Sequence, residues 1–280
     1  MKSIIRKPVF IFLILTLALS AGIYYQIFTR GKDLGLGQVY LSLGLHWCPA
    51  VAALIASLVC YRSVKRLGWG LGRNKRLLWV YFLPLLYGIL VYGPVWGFQL
   101  GDFNGEAAQS VLLNAVGLFR LLVMAVIGVG IPVLGEEIGW RGLLTPELAA
   151  DFDFFDTSLY TGAVSLLWYT PWILSGNGVT DAPLWYNWLC YALLTLGLSF
   201  AYTWLRLKSD SLWAPFLLHA GHVFFITVLF DGLTIHNGLT FYFTTEFGAG
   251  LALVGVIIGL VFWRLGKGLD MKDVVSRINI

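Results

Sequence analysis

Two adjacent carboxylates and an arginine follow a long apolar run in the stretch Gly135-Glu136-Glu137-Ile138-Gly139-Trp140-Arg141-Gly142. Ionisable groups beside such a run are costly, and they mark a functional site by default. If this stretch is helical, Glu137 and Arg141 are four residues apart and can form an ion pair. Glu136 projects about 100° away from Glu137. One carboxylate can therefore be tied to the arginine while the other faces a cavity.

A second polar group lies in an apolar run further along the chain, where His219 and His222 share one face of a helix because they are three residues apart. His219 follows Ser211 by eight residues, which places it about 12 Å into a membrane. A carboxylate and imidazoles around a wet cavity favour the activation of water, with the glutamate as general base and an imidazole beside the oxyanion. The chain contains no His-Glu-x-x-His motif, but two histidines and a carboxylate could also bind a divalent metal.

The composition is that of a membrane protein. Of the 280 residues, 58% are hydrophobic and only 12% are charged, against about 25% charged residues in soluble domains. The net charge of +4 does not indicate a nucleic-acid partner, because the basic residues lie in short loops between apolar runs. The apolar run that ends near Phe28 is too long for a signal peptide and lacks a cleavage site, so we expect an uncleaved first transmembrane helix.

We therefore expect an all-α fold, a polytopic helical bundle with about eight transmembrane helices, since about 20 apolar residues span a bilayer. The eight apolar stretches are Pro8–Phe28, Gln38–Cys60, Leu77–Phe98, Ser110–Leu134, Thr157–Leu174, Leu184–Leu205, Leu212–Phe230 and Phe247–Leu265. The segment Leu143–Phe155 is predicted to be a short amphipathic helix at the membrane interface.

Lysine and arginine in the short loops predict the orientation. With both termini in the cytoplasm, almost all of the 19 basic residues lie on the cytoplasmic side, and only Arg30 and Lys32 lie outside. The prediction is a multi-pass protein of the cell (plasma) membrane. Acidic residues of the outer loops are predicted to belong to plain connections; they are Asp102, Glu106, Asp181, Asp231 and Glu246.

The stretch Glu136–Arg141 resembles the Glu-Glu-x-x-x-Arg motif of a family of intramembrane endopeptidases, the CAAX prenyl proteases and bacteriocin-processing enzymes (type II CAAX endopeptidases). The stretch Ser211–Trp213, followed by His219, resembles the last motif of that family. The spacing between the motifs and the eight-helix plan are also similar. The resemblance covers about Leu45–Trp263, and the chain is identified by it as a divergent member.

The resemblance implies roles for individual residues. Glu136 would be the general base for a hydrolytic water, Glu137 its neighbour, Arg141 the ion-pair partner and His219 an oxyanion donor. The substrate would be a membrane-embedded or lipidated polypeptide in the lipid bilayer. Relatives process prenylated CAAX proteins in eukaryotes, and in prokaryotes they are linked to bacteriocin maturation or self-immunity. The family has been explained both by glutamate alone and by a divalent metal such as zinc, for which Glu136 and His219 would be ligands.

Two positions depart from the family pattern. Tyr169 stands where the family has a histidine two residues before a proline, and Val223 stands where it usually has an asparagine. Tyrosine can donate a hydrogen bond but cannot act as a base near neutral pH. His222 is a candidate to replace the missing asparagine. Losing one oxyanion donor costs about 10²–10³ in rate, so these departures bear directly on activity.

Two functions therefore stay open. One is an endopeptidase with a rearranged site in which Tyr169 and His222 substitute, and the other is a catalytically impaired relative that acts as a membrane-binding, immunity or chaperone-like protein. A transporter is disfavoured, because there is neither an internal repeat nor a pair of broken helices. We expect one membrane domain over 1–280, with an N-terminal helix and connection (1–44), a CAAX-protease-like core (45–268) and a cytoplasmic tail (269–280).

Overall fold

The computed structural model describes residues 6–30, 36–72, 75–176 and 180–278. Lys2 and Lys32, which contribute to the predicted orientation, and the last two residues of the predicted tail lie outside these ranges. The α-helices in the described residues are α1 (Lys7–Arg30), α2 (Leu36–Tyr61), α3 (Leu83–Gly97), α4 (Gly105–Leu112), α5 (Ala115–Val123), α6 (Ile131–Glu137), α7 (Thr145–Ala149), α8 (Phe154–Leu174), α9 (Leu184–Ser209), α10 (Trp213–His222), α11 (Ala249–Gly266) and α12 (Met271–Ile278).

The chain is a multi-pass helical membrane protein, as the composition predicts. Within the described residues, seven helices are long and apolar enough to cross a membrane: Lys7–Thr29, Val39–Tyr61, Trp79–Gly97, Ala115–Ala149, Leu184–Ser209, Trp213–Phe230 and Ala249–Gly266. The predicted span Thr157–Leu174 forms the 21-residue helix α8, which is not one of the seven. Its polar residues Thr157, Ser158 and Thr161 are buried, so this helix places hydroxyl groups inside the bundle.

The fourth span is one continuous 35-residue helix, Ala115–Ala149. It joins α5, α6 and α7 through two π-helical segments, Met124–Gly130 and Ile138–Leu144. The interfacial amphipathic helix predicted over Leu143–Phe155 is wrong, because α7 continues the span and is largely buried. Its carboxylate at Glu147 accepts hydrogen bonds from Arg6 and Tyr61, which compensate for the burial.

Helix α2 packs closely against α6 because two small residues of the fourth span face it. A Cβ atom on Gly135 would lie 2.6 Å from the carbonyl oxygen of His46, and one on Gly139 would collide with Pro49. Two small residues four apart let helices approach closely in membranes. Gly135 and Gly139 therefore set the distance between the second and fourth spans.

Two hydrophobic clusters make up most of the core. One joins α1 and α2 to the fourth span and includes Trp140 and Trp168. The other joins α3, α9, α10 and α11 and includes Tyr202 and Leu218. A two-residue antiparallel bridge closes one end of the bundle, where β1 (Asp102–Phe103) pairs with β2 (Thr234–Ile235). The predicted tail contains α12, whose Val274 is buried.

Candidate active site

The site is built first by the start of α10, which carries both histidines. The Ser211 hydroxyl donates to the carbonyl of Gly70 (2.6 Å) and accepts from the amide of Trp213 (3.1 Å). The Trp213 indole donates to the carbonyl of Trp69 (2.7 Å). The Ser-Leu-Trp motif thus anchors α10 to the loop after α2, and this anchor fixes the height of His219 in the bundle.

Glu137 makes its contacts with Arg141 and His219 through one carboxylate oxygen. Its Oε1 atom accepts a hydrogen bond from Arg141 (2.7 Å) and contacts His219 Nδ1 (2.8 Å), and its side chain is 0% exposed. The pairing with Arg141 predicted from the four-residue spacing is confirmed. The guanidinium of Arg141 also lies over the ring of Tyr202, 4.3 Å from its centroid. A buried charge needs such partners to offset the loss of hydration.

Glu136 faces the other way, into a cavity of about 50 Å³ between the two hydrophobic clusters. Arg141, Tyr169, His219 and His222 also line this cavity, so all the predicted site residues except Glu137 reach it. The volume holds a few water molecules and no peptide, since one water needs about 10–15 Å³ of such space. A polypeptide substrate therefore requires the bundle to open.

The two glutamates contact different imidazoles. His219, which the resemblance implies as an oxyanion donor, forms its hydrogen bond with Glu137. The imidazole in contact with Glu136 belongs to His46 of α2, whose Nε2 lies 3.4 Å from Glu136 Oε1. The reason is helix packing, because the glycine-lined face of the fourth span brings α2 beside Glu136.

A further carboxylate enters the cavity from the segment before α11. Glu246 was predicted to belong to a plain connection, and this was wrong: its carboxylate contacts His222 Nε2 (3.1 Å), whose Nδ1 shares a hydrogen bond with the Tyr87 hydroxyl. Burial alone would raise the pKa of Glu246. The hydrogen bond with His222 and the charges of His222 and His219 outweigh burial, and the pKa falls below its ordinary value.

Tyr169, at the position of the expected histidine, is held among aromatic rings. Its ring stacks on Tyr191 with centroids 5.1 Å apart, and it also packs against Trp168 and Trp172. These contacts keep the tyrosine at the cavity wall. Its phenol can donate a hydrogen bond there, but it cannot take the acid-base part of an imidazole.

The donor atoms do not fit a metal ion in this arrangement. Among the described residues, no three His, Cys, Asp or Glu side chains are placed to share one. Glu137 Oε1 is already engaged by Arg141 and His219. Zinc at Glu136 and His219 thus stays a prediction from the resemblance.

The sequence motifs do not include two residues of the site, His46 and Glu246. His46 had a signal, because it is the only charged or histidine residue in the apolar span Val39–Tyr61, and an intramembrane ionisable residue is functional by default. Glu246 had none, because it lies in a loop beside Gly248 and resembles an ordinary connection.

Comparison with known proteins bears on this geometry. The family described as "Type II CAAX prenyl endopeptidase Rce1-like" matches residues 117–225. The CAAX prenyl protease 2 of Methanococcus maripaludis is 30% identical over 134 residues, which are 46% of this chain and 45% of the relative. Part of the chain is thus similar to the type II CAAX endopeptidase family. It spans about half the length of the curated relative it matches.

The family match covers Glu136, Glu137, Arg141, His219 and His222. It does not extend to His46 or Glu246, which lie before and after the matched residues. The site of this chain thus includes two side chains from outside the segment that carries the likeness.

Proposed function

We propose that this protein is an intramembrane endopeptidase that hydrolyses a peptide bond in a membrane-associated or lipidated polypeptide. Glu136 is its general base. The observation that carries the proposal is the different environment of the two glutamates. Glu137 is paired with Arg141 and His219, whereas Glu136 faces the small cavity, which holds a few water molecules. The similarity of residues 117–225 to type II CAAX prenyl endopeptidases supports the same reaction class.

The reaction follows from the residues around the cavity. Glu136 accepts a proton from a water molecule, and the resulting hydroxide attacks the carbonyl carbon of the substrate. The oxyanion that forms needs donors, and His219 supplies one when its ring is doubly protonated. The carbon–nitrogen bond then breaks, and the leaving amine takes the proton from Glu136. One water is consumed, and the general base is regenerated.

Arg141 and Glu137 support this step by holding His219 in place. The ion pair holds His219 through Glu137 Oε1, so the imidazole has a fixed orientation at the cavity wall. A fixed donor costs no reorganisation when charge develops on the substrate. Glu137 therefore acts on the reaction through His219 rather than on the water.

The departures from the family pattern limit the rate. His222 engages Tyr87 with one nitrogen and Glu246 with the other, so it can replace the missing asparagine only by exchanging one of these contacts. Tyr169 supplies a phenol at the cavity wall instead of an imidazole. These two positions, together with the small cavity, favour the second candidate function, a catalytically impaired relative that binds lipidated or membrane-embedded polypeptides.

A cleavage assay separates the two functions. The purified full-length protein in lipid nanodiscs is incubated with a library of membrane-anchored and prenylated peptides, with and without a chelator. We expect cleavage by the wild type and a loss of about 10²–10⁴ in kcat for Glu136→Gln. The matched control is Glu106→Gln, which removes an exposed carboxylate in the first turn of α4 and should leave kcat unchanged.

The remaining outcomes are also decisive. Loss of activity in the chelator would assign a metal-dependent reaction. A wild type that binds the peptides without cleaving them, and that gains activity with Tyr169→His and Val223→Asn together, would establish the impaired relative. Cleavage retained in full by Glu136→Gln would contradict the proposed general base.

A further inference from the structure

The two ring nitrogens of His46 have different partners. Its Nδ1 lies 2.6 Å from the carbonyl oxygen of Ser42, one turn earlier in α2. A carbonyl oxygen only accepts, so Nδ1 must carry a hydrogen and donate it. Nε2 is then the ring atom that remains to face Glu136 Oε1 at 3.4 Å.

That contact requires a further proton. A neutral ring protonated on Nδ1 would point the lone pair of Nε2 at the lone pairs of a carboxylate, and these repel. The contact is favourable only if Nε2 also carries a proton and donates it to an ionised carboxylate, which leaves Glu136 able to act as a base. The separation exceeds that of a short hydrogen bond, and catalytic hydrogen bonds are often long before substrate binds.

The bundle holds this pair in place from two sides. Gly135 admits the backbone of α2 so closely that a Cβ atom would lie 2.6 Å from the carbonyl oxygen of His46. The imidazole packs edge-on against Trp168, with ring centroids 6.4 Å apart. Trp168 lines the same cavity as Glu136 and Tyr169. Both side chains keep little exposure, 17% for His46 and 13% for Glu136.

From these contacts we propose that His46 is a positioning residue for Glu136: its Nε2 faces that carboxylate and orients it, so that the second span supplies an imidazole to a site where Tyr169 supplies a phenol. The proposal rests on the proposed function, since Glu136 must be the general base for the positioning to matter. His46 lies outside residues 117–225, so the family match does not assign it a role.

The kinetic test uses two substitutions at His46 and one exchange. His46→Phe and His46→Gln should each lower kcat by about 10–100-fold, the usual cost of losing a supporting group, while KM changes by less than about threefold. His46→Phe combined with Tyr169→His should recover at least about tenfold in kcat, because the second change places an imidazole in the cavity that Glu136 lines. A purely structural role predicts no such recovery.

The matched control is Cys48→Ala, two residues along α2. The Cys48 thiol donates to the carbonyl of Gly44 as His46 donates to Ser42, whereas the contact with Glu136 Oε1 is made by His46. We expect wild-type kcat for this variant. Wild-type kcat in both His46 variants, with Glu136→Gln inactive, would overturn the role of His46 and leave the proposed function intact.

An activity-independent measurement tests the pair itself. With ¹⁵N-labelled histidine in nanodiscs, the four histidines can be assigned by single substitutions. His46 should have a protonated Nδ1, and its Nε2 resonance should move in Glu136→Gln but not in Cys48→Ala. An unmoved Nε2 resonance overturns the inference. A wild type that cleaves no peptide overturns the proposed function and with it the kinetic role of His46, and the resonance then decides whether Nε2 contacts Glu136.

Discussion

Glu136 and Glu137 are neighbours in the chain, yet they belong to two different parts of the bundle. Glu137 lies in the dry contact between the fourth span and α10, where Arg141 and His219 share one of its oxygens. Glu136 lies on the cavity side beside His46. A paired charge away from water holds its partners in place, whereas a charge beside water can exchange a proton. Helical rotation therefore divides the work between two chemically identical side chains.

The largest expected difference between the two glutamates is in the free energy of unfolding of their glutamine variants. Glu137→Gln leaves the Arg141 guanidinium buried without its counter-ion, and breaking a buried pair costs about 3–5 kcal/mol. Glu136→Gln should cost less, because the Glu136 carboxylate faces the cavity, where water can hydrate it, and its contact with His46 is longer, at 3.4 Å. Reversible unfolding of both variants in mixed micelles measures the difference. Equal losses would mean that the two carboxylates are not divided as the contacts indicate.

The close packing of the second span on the fourth places His46 beside Glu136. Gly135→Ala should cost about 1–3 kcal/mol, because the added methyl meets the α2 backbone, which cannot yield as a side chain can. It should also lower kcat by moving His46 away from Glu136. Gly128→Ala in the same span is the control, since its methyl meets only the flexible end of Met124. Unfolding and cleavage assays on both variants measure the effect, and similar results for both would contradict the close approach.

Two carboxylates outside the spans sharpen the comparison by having opposite pH dependence. Burial raises the pKa of Asp231 from 3.8 to about 7, and the hydrogen bond from Tyr92 offsets this only in part. The folded state therefore holds this proton more tightly. Its contribution to stability is full below about pH 4 and is lost as the pH rises to about 7. The lowered pKa of Glu246 has the reverse effect: its contribution is present above pH 4.5 and is lost as the pH falls further.

The midpoint of thermal unfolding, measured from about pH 2 to 8, checks these signs. Asp231→Asn should remove the loss of stability between pH 4 and 7, and Glu246→Gln should remove the loss on the acid side. An Asp231→Asn profile that follows the wild-type profile in parallel would show that burial does not control this carboxyl group.

Much of the bundle could be predicted, because apolar length is a local property. The seven spans fall close to seven of the eight predicted apolar stretches. Leu143–Phe155 was misjudged because its acidic residues look exposed when their partners are unknown. Arg6 and Tyr61, which satisfy Glu147, come from 141 and 86 residues away in the chain. Partners so distant cannot be inferred from the periodicity of one helix.

The site divides along the same line. The pair of Glu137 and Arg141 followed from four-residue spacing on a single helix, and the shared face of His219 and His222 followed from three-residue spacing. The contacts of Glu136 with His46 and of His222 with Glu246 join separate segments of the chain. Helix rotation and helix–helix distance determine such contacts, and the π-helical segments after Glu137 and His222 alter the rotation further.

Composition and helical spacing were thus enough to establish a polytopic membrane bundle with a costly cluster of charges at Glu136 and Glu137, because hydration cost and helical geometry act within one segment. Folding alone decided which histidine meets which glutamate. Gly135 and Gly139 look like ordinary small residues until α2 is packed against them, and only then does His46 lie beside Glu136. The distance between two packed helices is a property of both surfaces, so neither segment specifies it alone.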